Sequence, residues 1–87
     1  MYNYFMLIGK LDSVYKDANQ IVIKVNRPFK NNNGEIESDN FTINVLEFLW
    51  DTINENLENT KPVSVKGRIQ LTEDGIVKLI AERVIFM

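Results

Sequence analysis

The stretch DNFTINVLEFLWDTINENL, residues 39–57, contains the change of hydrophobic period that decides the fold. Over residues 39–46 apolar and polar side chains alternate, which predicts a strand with one buried face. Apolar residues then recur at helical spacing, so residues 47–58 are predicted to form one helix. The helical set is Leu46, Leu49, Trp50, Ile53 and Leu57, and Asn59, Thr60 and Pro62 follow it.

Strand patterns occupy most of the remaining chain. Residues 4–14 and 20–26 precede the stretch, and residues 63–71 and 76–86 follow it. Pro28 and Asn31 to Gly34 indicate a long polar loop, and Asp74-Gly75 predicts a hairpin turn between the last two strands. The predicted fold is all-β: a five-stranded OB-fold barrel with one α-helix between strands 3 and 4. Residues 1–87 are expected to form a single domain.

The composition excludes several kinds of chemistry. The 87 residues include no cysteine and no histidine, which excludes disulfides, Cys/His zinc sites and histidine-based acid–base catalysis. The carboxylates show no calcium- or magnesium-site spacing, so we expect no metal, no cofactor, no catalytic residues and no small-molecule substrate. No apolar run is long enough to span a membrane and no secretory signal is evident, so a cytoplasmic location is expected.

Five segments, in order, carry a family resemblance. They are Asn3 with Phe5 to Ile8, Gly9-Lys10-Leu11, Asn26-Arg27-Pro28-Phe29-Lys30-Asn31 with Gly34-Glu35, Gly67-Arg68-Ile69-Gln70, and Ala81-Glu82 with Val84 and Phe86. Together they resemble the bacterial single-stranded-DNA-binding protein (SSB) family over nearly the whole chain. The resemblance implies an OB-fold that holds unpaired DNA through stacked aromatic side chains and basic residues.

Phe29 occupies one of the family's stacking positions. A gapless register for strand 3 places Asn40 and Leu46 where the family usually has aromatic residues. Shifting the register by one residue would put Phe41 there but would bury Asn40, Thr42 and Asn44. Phe41 is therefore predicted to lie in the core, and Asn40 and Thr42 on the binding face. Trp50 is predicted to pack the helix onto the barrel.

Basic residues are predicted to contact phosphates, although the formal net charge of the chain is −2. The candidates are Lys24, Arg27, Lys30, Lys66 and Arg68. Four acidic residues close in sequence would weaken this patch: Glu35, Glu37, Asp39 and Glu47.

Strand 1 carries apolar residues on both faces, and one barrel can bury only one of them. Tyr4, Met6 and Ile8 are therefore predicted to form the contact of a homodimer or homotetramer. The family's long hairpin between strands 4 and 5 is expected to be missing. Its acidic C-terminal tail is also not expected, since the sequence ends at Met87.

The expected function is sequence-tolerant binding of single-stranded DNA in DNA replication, recombination or repair. The alternative is an SSB-like paralogue that acts as a protein-interaction or oligomerisation module with weak or no DNA binding. An enzyme is not expected, because the sequence offers no nucleophile–base pair, phosphate loop or ligand cluster.

Overall fold

The five predicted strands close into one barrel in the computed structural model, which describes residues 2–87. The strands are β1 (Phe5–Tyr15), β2 (Gln20–Lys30), β3 (Ile36–Val45), β4 (Val63–Leu71) and β5 (Val77–Phe86), and α1 (Trp50–Glu55) lies between β3 and β4. Their order around the barrel is β1-β2-β3-β5-β4, and β3 pairs with β5 in parallel while the other pairs are antiparallel. The OB-fold prediction is confirmed.

The core is made by the inward face of each strand together with one side of the helical segment. Its members are Phe5, Ile21, Ile23, Ile43, Val45, Leu49, Trp50, Ile53, Val63, Val65, Ala81 and Val84. Trp50 is only 4% exposed, and its indole Nε1 donates a hydrogen bond to Asn19 Oδ1 at 2.9 Å. A buried indole N–H needs such a partner. The prediction that Trp50 packs in the core is confirmed.

The register of β3 is the gapless one. Phe41 lies opposite Ile23 and Ile43 lies opposite Ile21, so the apolar set points inward. Asn40 and Thr42 are exposed on the outer face. Phe41 packs against the core but is only partly buried, because it lies nearer the open end of the barrel than Ile43 does.

The helix is shorter than the spacing predicts. A 3₁₀ turn covers Glu47–Leu49 and α1 ends at Glu55, so residues 56–58 form a turn and Leu57 is 52% exposed. Asn56 Nδ2 bonds the carbonyl oxygen of Thr52, which satisfies an acceptor at the helix end. Among residues 2–87 no helix is long and apolar enough to cross a membrane.

The polar loop predicted after strand 2 is largely a β-hairpin. β2 runs to Lys30 and β3 begins at Ile36, so only Asn31 to Glu35 form the turn. Asn31 closes that turn, since its Oδ1 accepts hydrogen bonds from the backbone N–H groups of Asn33 and Glu35. We call residues 26–38 the β2–β3 arm. The Cα radius of gyration is 13.8 Å, above the roughly 12 Å of a compact domain of this length.

The β4–β5 connection is tight, as the Asp-Gly signal predicts. The N–H of Gly75 donates to the carbonyl oxygen of Thr72, and Gly75 has a φ of 79°. Ile69 and Leu71 continue the apolar alternation of Val63 and Val65 along β4 but are exposed, Leu71 by 63%. They lie beyond Gly67, the residue at which the pairing of β4 with β1 ends, and there β4 pairs with β5.

A bulge beside Gly67 sets the register of the last two strands. Lys66 lies opposite Arg83 whereas Gly67 lies opposite Ala81, so Glu82 is an extra residue in β5. A Cβ at Gly67 would overlap the carbonyl oxygen of Ile80, so this close approach requires glycine.

Candidate nucleic-acid interface

Polar side chains cross the outer face of β1, β2 and β3 in one row. Lys24 lies directly opposite Lys10 on one side and Asn40 on the other. All three are exposed, and Thr42 continues the same face opposite Val22. Directly opposed residues in antiparallel strands have Cβ atoms about 5 Å apart, so the row presents two positive charges and an amide together.

An open groove of about 430 Å³ adjoins this row. It is lined by Ile8, Gly9, Lys10, Lys24, Asn26 and Pro62. Among residues 2–87 neither lysine has a carboxylate oxygen within 4.0 Å, and both ion pairs in this part of the chain involve Arg27. The groove therefore joins unneutralised positive charge to an apolar surface and an amide donor.

Phe29 lies on the β2–β3 arm with its ring in solvent. Between Asn26 and Lys30 three residues of β2 face only Glu37 of β3, because Pro28 has no N–H for the ladder. Phe29 is 69% exposed within this irregular stretch. An exposed aromatic ring on a hydrogen-bonded hairpin is available for stacking. Lys30 follows it in β2, opposite Ile36, and is also exposed.

Arg27 is held by two carboxylates of β3, Glu37 on the arm and Asp39 directly after it. Its Nη1 lies 2.6 Å from Glu37 Oε2, and its Nε and Nη2 bond the two oxygens of Asp39 at 3.1 and 2.8 Å. The hydrogen bond from Arg27 lowers the pKa of Asp39, and the same contact raises the pKa of Arg27. The three side chains carry a net charge of −1, so Arg27 does not add free positive charge to the arm.

Lys66 and Arg68 lie on the other side of β1 from Lys24. Lys66 is opposite Met6 of β1 and Arg83 of β5, and Arg68 is opposite Ile80. Met6 and Lys10 are four residues apart, or about 13 Å along the strand. The basic patch that the sequence predicts is therefore divided into three groups, one on β1, β2 and β3, one on the arm and one on β4 and β5.

Two basic residues of this surface are absent from the sequence prediction. Lys10 could have been found, since the alternation of strand 1 puts it on the same face as Met6 and Ile8. Arg83 could not, because the bulge at Glu82 displaces the alternation of β5 by one residue.

The outer face of β1 is apolar towards its start. Met6 and Ile8 are exposed, and Tyr4 just before the strand is 70% exposed. Ile85 of β5 lies across β4 from Ile8, since both are opposite Ser64. We call Tyr4, Met6, Ile8 and Ile85 the outer β1 patch.

Among residues 2–87 no cluster of three or more carboxylates could hold a metal ion.

Two solved structures resemble the whole chain. One is the crystal structure of a small single-stranded DNA binding protein from Mycoplasma pneumoniae, with a TM-score of 0.65 and 20% sequence identity over 98% of this chain and 93% of that one. The other is a Plasmodium falciparum SSB in complex with ssDNA, with a TM-score of 0.56 and 19% identity over 100% of this chain and 96% of that one. At such identities the likeness shows the fold. No protein-family model and no curated protein sequence matches the chain.

Proposed function

We propose that this protein binds single-stranded DNA with little sequence preference. The observation that carries the proposal is the exposed ring of Phe29 on the β2–β3 arm, next to Lys30 in β2. Aromatic rings stack on any base, which makes such binding tolerant of sequence, and each stacked base contributes about 1–3 kcal/mol.

The charge distribution supports the same function despite an acidic chain. Four basic residues lie on the outer barrel surface without a carboxylate within 4.0 Å among residues 2–87: Lys10, Lys24, Lys66 and Arg68. Glu73 and Asp74 lie at the β4–β5 turn, and Glu47, Asp51 and Glu55 lie on the helical segment. These five acidic residues lie outside β1, β2 and β3, the strands that carry the Lys10–Lys24 row.

The structural neighbours add independent support. Both are single-stranded-DNA-binding proteins by name, and one was solved with ssDNA bound. The match extends over nearly the full length of each chain, so the shared fold takes in the whole barrel. We extend the proposal to a role in DNA replication, recombination or repair, without enzymatic activity and in the cytoplasm.

A homo-oligomer built through the outer β1 patch is part of the same proposal. Tyr4 and Met6 expose aromatic and thioether surface beside Ile8, and exposed apolar clusters of this kind are typical of protein contacts. Phe29 lies outside this patch, and of the patch residues Ile8 also lines the groove beside Lys10 and Lys24.

The outer β1 patch also favours a second candidate function. A paralogue that uses the barrel for protein interaction would keep this patch and could lose DNA contacts. The pairing of Arg27 with Glu37 and Asp39 occupies the guanidinium that the sequence predicts to contact phosphate, which favours that candidate.

A titration separates the two functions. Fluorescently labelled oligo-dT and oligo-dA are titrated with the protein at 50 and 200 mM salt. DNA binding predicts saturable affinity for both oligonucleotides, weakened by salt with a log–log slope of about −0.7 per phosphate neutralised. Arg68→Glu should reduce affinity and slope, whereas Lys16→Glu, a reversal remote on the 3₁₀ turn Lys16–Ala18, should change them less. No binding by the wild type at 50 mM salt would favour the protein-interaction function.

A further inference from the structure

We infer that Lys10 and Lys24 together hold one backbone phosphate of the DNA in the groove that these two lysines line. This inference rests on the proposed function and identifies one phosphate-binding site, which we call the shared phosphate seat. Lys10 lies outside the set of basic residues that the sequence predicts.

The first argument is the arrangement of charge. Lys10 and Lys24 are direct cross-strand partners on the exposed face, and neither has a carboxylate within 4.0 Å in the described part of the chain. Like charges directly opposite each other destabilise a sheet. An anion placed between them removes that repulsion, so the free protein has a site at which a phosphate is favoured.

The second argument is the rigidity of the two strands. Gly9 lies so close to β2 that a Cβ there would overlap the carbonyl oxygen of Lys24. The backbones beside Lys10 and Lys24 are thus fixed by the barrel itself. Only the lysine side chains need to be ordered when an anion binds, which lowers the entropic cost of binding.

The third argument is the chemistry of the groove. Asn26 lies two residues along β2 from Lys24 and supplies an amide donor, while Ile8 and Pro62 supply apolar surface. A phosphodiester has two non-bridging oxygens that share one negative charge, and a less polar sugar lies beside them. The donors and apolar surface of the groove match those two parts.

The shared seat predicts a non-additive effect on the salt dependence of binding. Oligo-dT affinity is measured from 50 to 200 mM salt for the wild type, Lys10→Gln, Lys24→Gln, the double variant and Lys16→Gln as control. One shared phosphate predicts that the double variant loses about 0.7 from the slope. Over this range the wild type should then weaken about 2.6-fold more than the double variant, and Lys16→Gln should behave like the wild type.

The outcomes separate this inference from the function beneath it. If the wild type binds and the double variant keeps its full slope, the groove is not a phosphate seat, although DNA binding stands. A loss of about 1.4 would mean two separate phosphates and would overturn the shared seat. A wild type that binds no oligo-dT would remove the proposed function and this inference with it.

A measurement without DNA tests the charge argument and verifies folding. At low salt Lys10→Gln and Lys24→Gln should each raise the melting temperature, because each removes the repulsion, and added salt should reduce the gain. A melting temperature unchanged or lowered in both variants would contradict the repulsion on which the inference depends.

Discussion

The guanidinium of Arg27 and the carboxylate of Asp39 meet across β2 and β3 through two hydrogen bonds, Nε to Oδ2 at 3.1 Å and Nη2 to Oδ1 at 2.8 Å. Arg27 is therefore committed to its own arm beside Phe29. We therefore expect DNA at this end of the molecule to be bound by aromatic stacking and by unpaired lysines rather than by Arg27.

Phe29→Ala should weaken ssDNA binding by about 1–3 kcal/mol, because it removes a stacking surface. It should scarcely change the free energy of unfolding, since the ring fills no core cavity. Fluorescence titration and thermal melts measure the two effects. Phe48→Ala is the matched control, because Phe48 is an exposed aromatic on the 3₁₀ turn before α1.

Phe41→Ala is expected to do the reverse. Phe41 is partly buried, so the loss of stability should be about 1–3 kcal/mol, below the roughly 3–5 kcal/mol of a fully buried phenylalanine. Affinity of the folded fraction should be unchanged. Intact binding in Phe29→Ala together with abolished binding in a folded Phe41→Ala would contradict the β3 register.

Releasing Arg27 should strengthen binding. Glu37→Gln combined with Asp39→Asn removes two negative charges and frees one guanidinium, so affinity should rise and the salt slope should steepen by about 0.7. Arg27→Gln alone should reduce affinity less than Lys24→Gln. Weaker binding by the released variant would show that the ion pairs hold Phe29 in a competent arm.

The Arg27–Asp39 contact should fail in acid. The pKa of Asp39 is lowered below its ordinary value of 3.8 by the hydrogen bond from Arg27. A lowered pKa means that the contact stabilises the folded state at all pH values above the unfolded pKa, and that this stabilisation is lost as the pH falls through the lowered value. An NMR titration should give a midpoint for Asp39 below 3.8, and Arg27→Gln should raise it.

Assembly through the outer β1 patch predicts a mass of two or four times the 10.1 kDa chain in light scattering at micromolar concentration. Tyr4→Gln combined with Met6→Gln should shift the protein towards monomer, because it removes exposed apolar area from the patch. Leu71→Gln is a control at an exposed apolar position on the β4–β5 hairpin. A wild-type mass near that of one chain would count against the oligomer.

Much of the candidate site could be placed from local pattern. The alternation of β2 and β3 put Lys24, Asn40 and Thr42 on the outer face, where the structure has them. The stacking position that the resemblance gives Phe29 requires an exposed ring, and the ring is exposed. Which of these residues contact DNA stays a prediction.

The sequence pattern does not give the identity of neighbours across strands. Glu37 and Asp39 were expected to weaken the basic patch, and the register brings both carboxylates directly to Arg27, whose contact with phosphate stays a prediction. The alternation of strand 1 puts Lys10 on the outer face, but it does not show that Lys24, fourteen positions away, lies directly opposite. Such pairs depend on register and bulges, which are set by contacts between distant segments.

The sequence by itself determined the order of strands and helix, the inward set of β2 and β3, the tight turn at Gly75 and the burial of Trp50. Each of these follows from the period of hydrophobicity or from the conformational freedom of one residue, which are local properties. Only the tertiary structure decided that Leu57, Ile69 and Leu71 are exposed, that Arg27 is neutralised and that Lys10 adjoins Lys24. A periodic pattern shows which side of an element is apolar. Whether another element covers that side, and which charged side chains lie opposite the element, depends on where the other elements end.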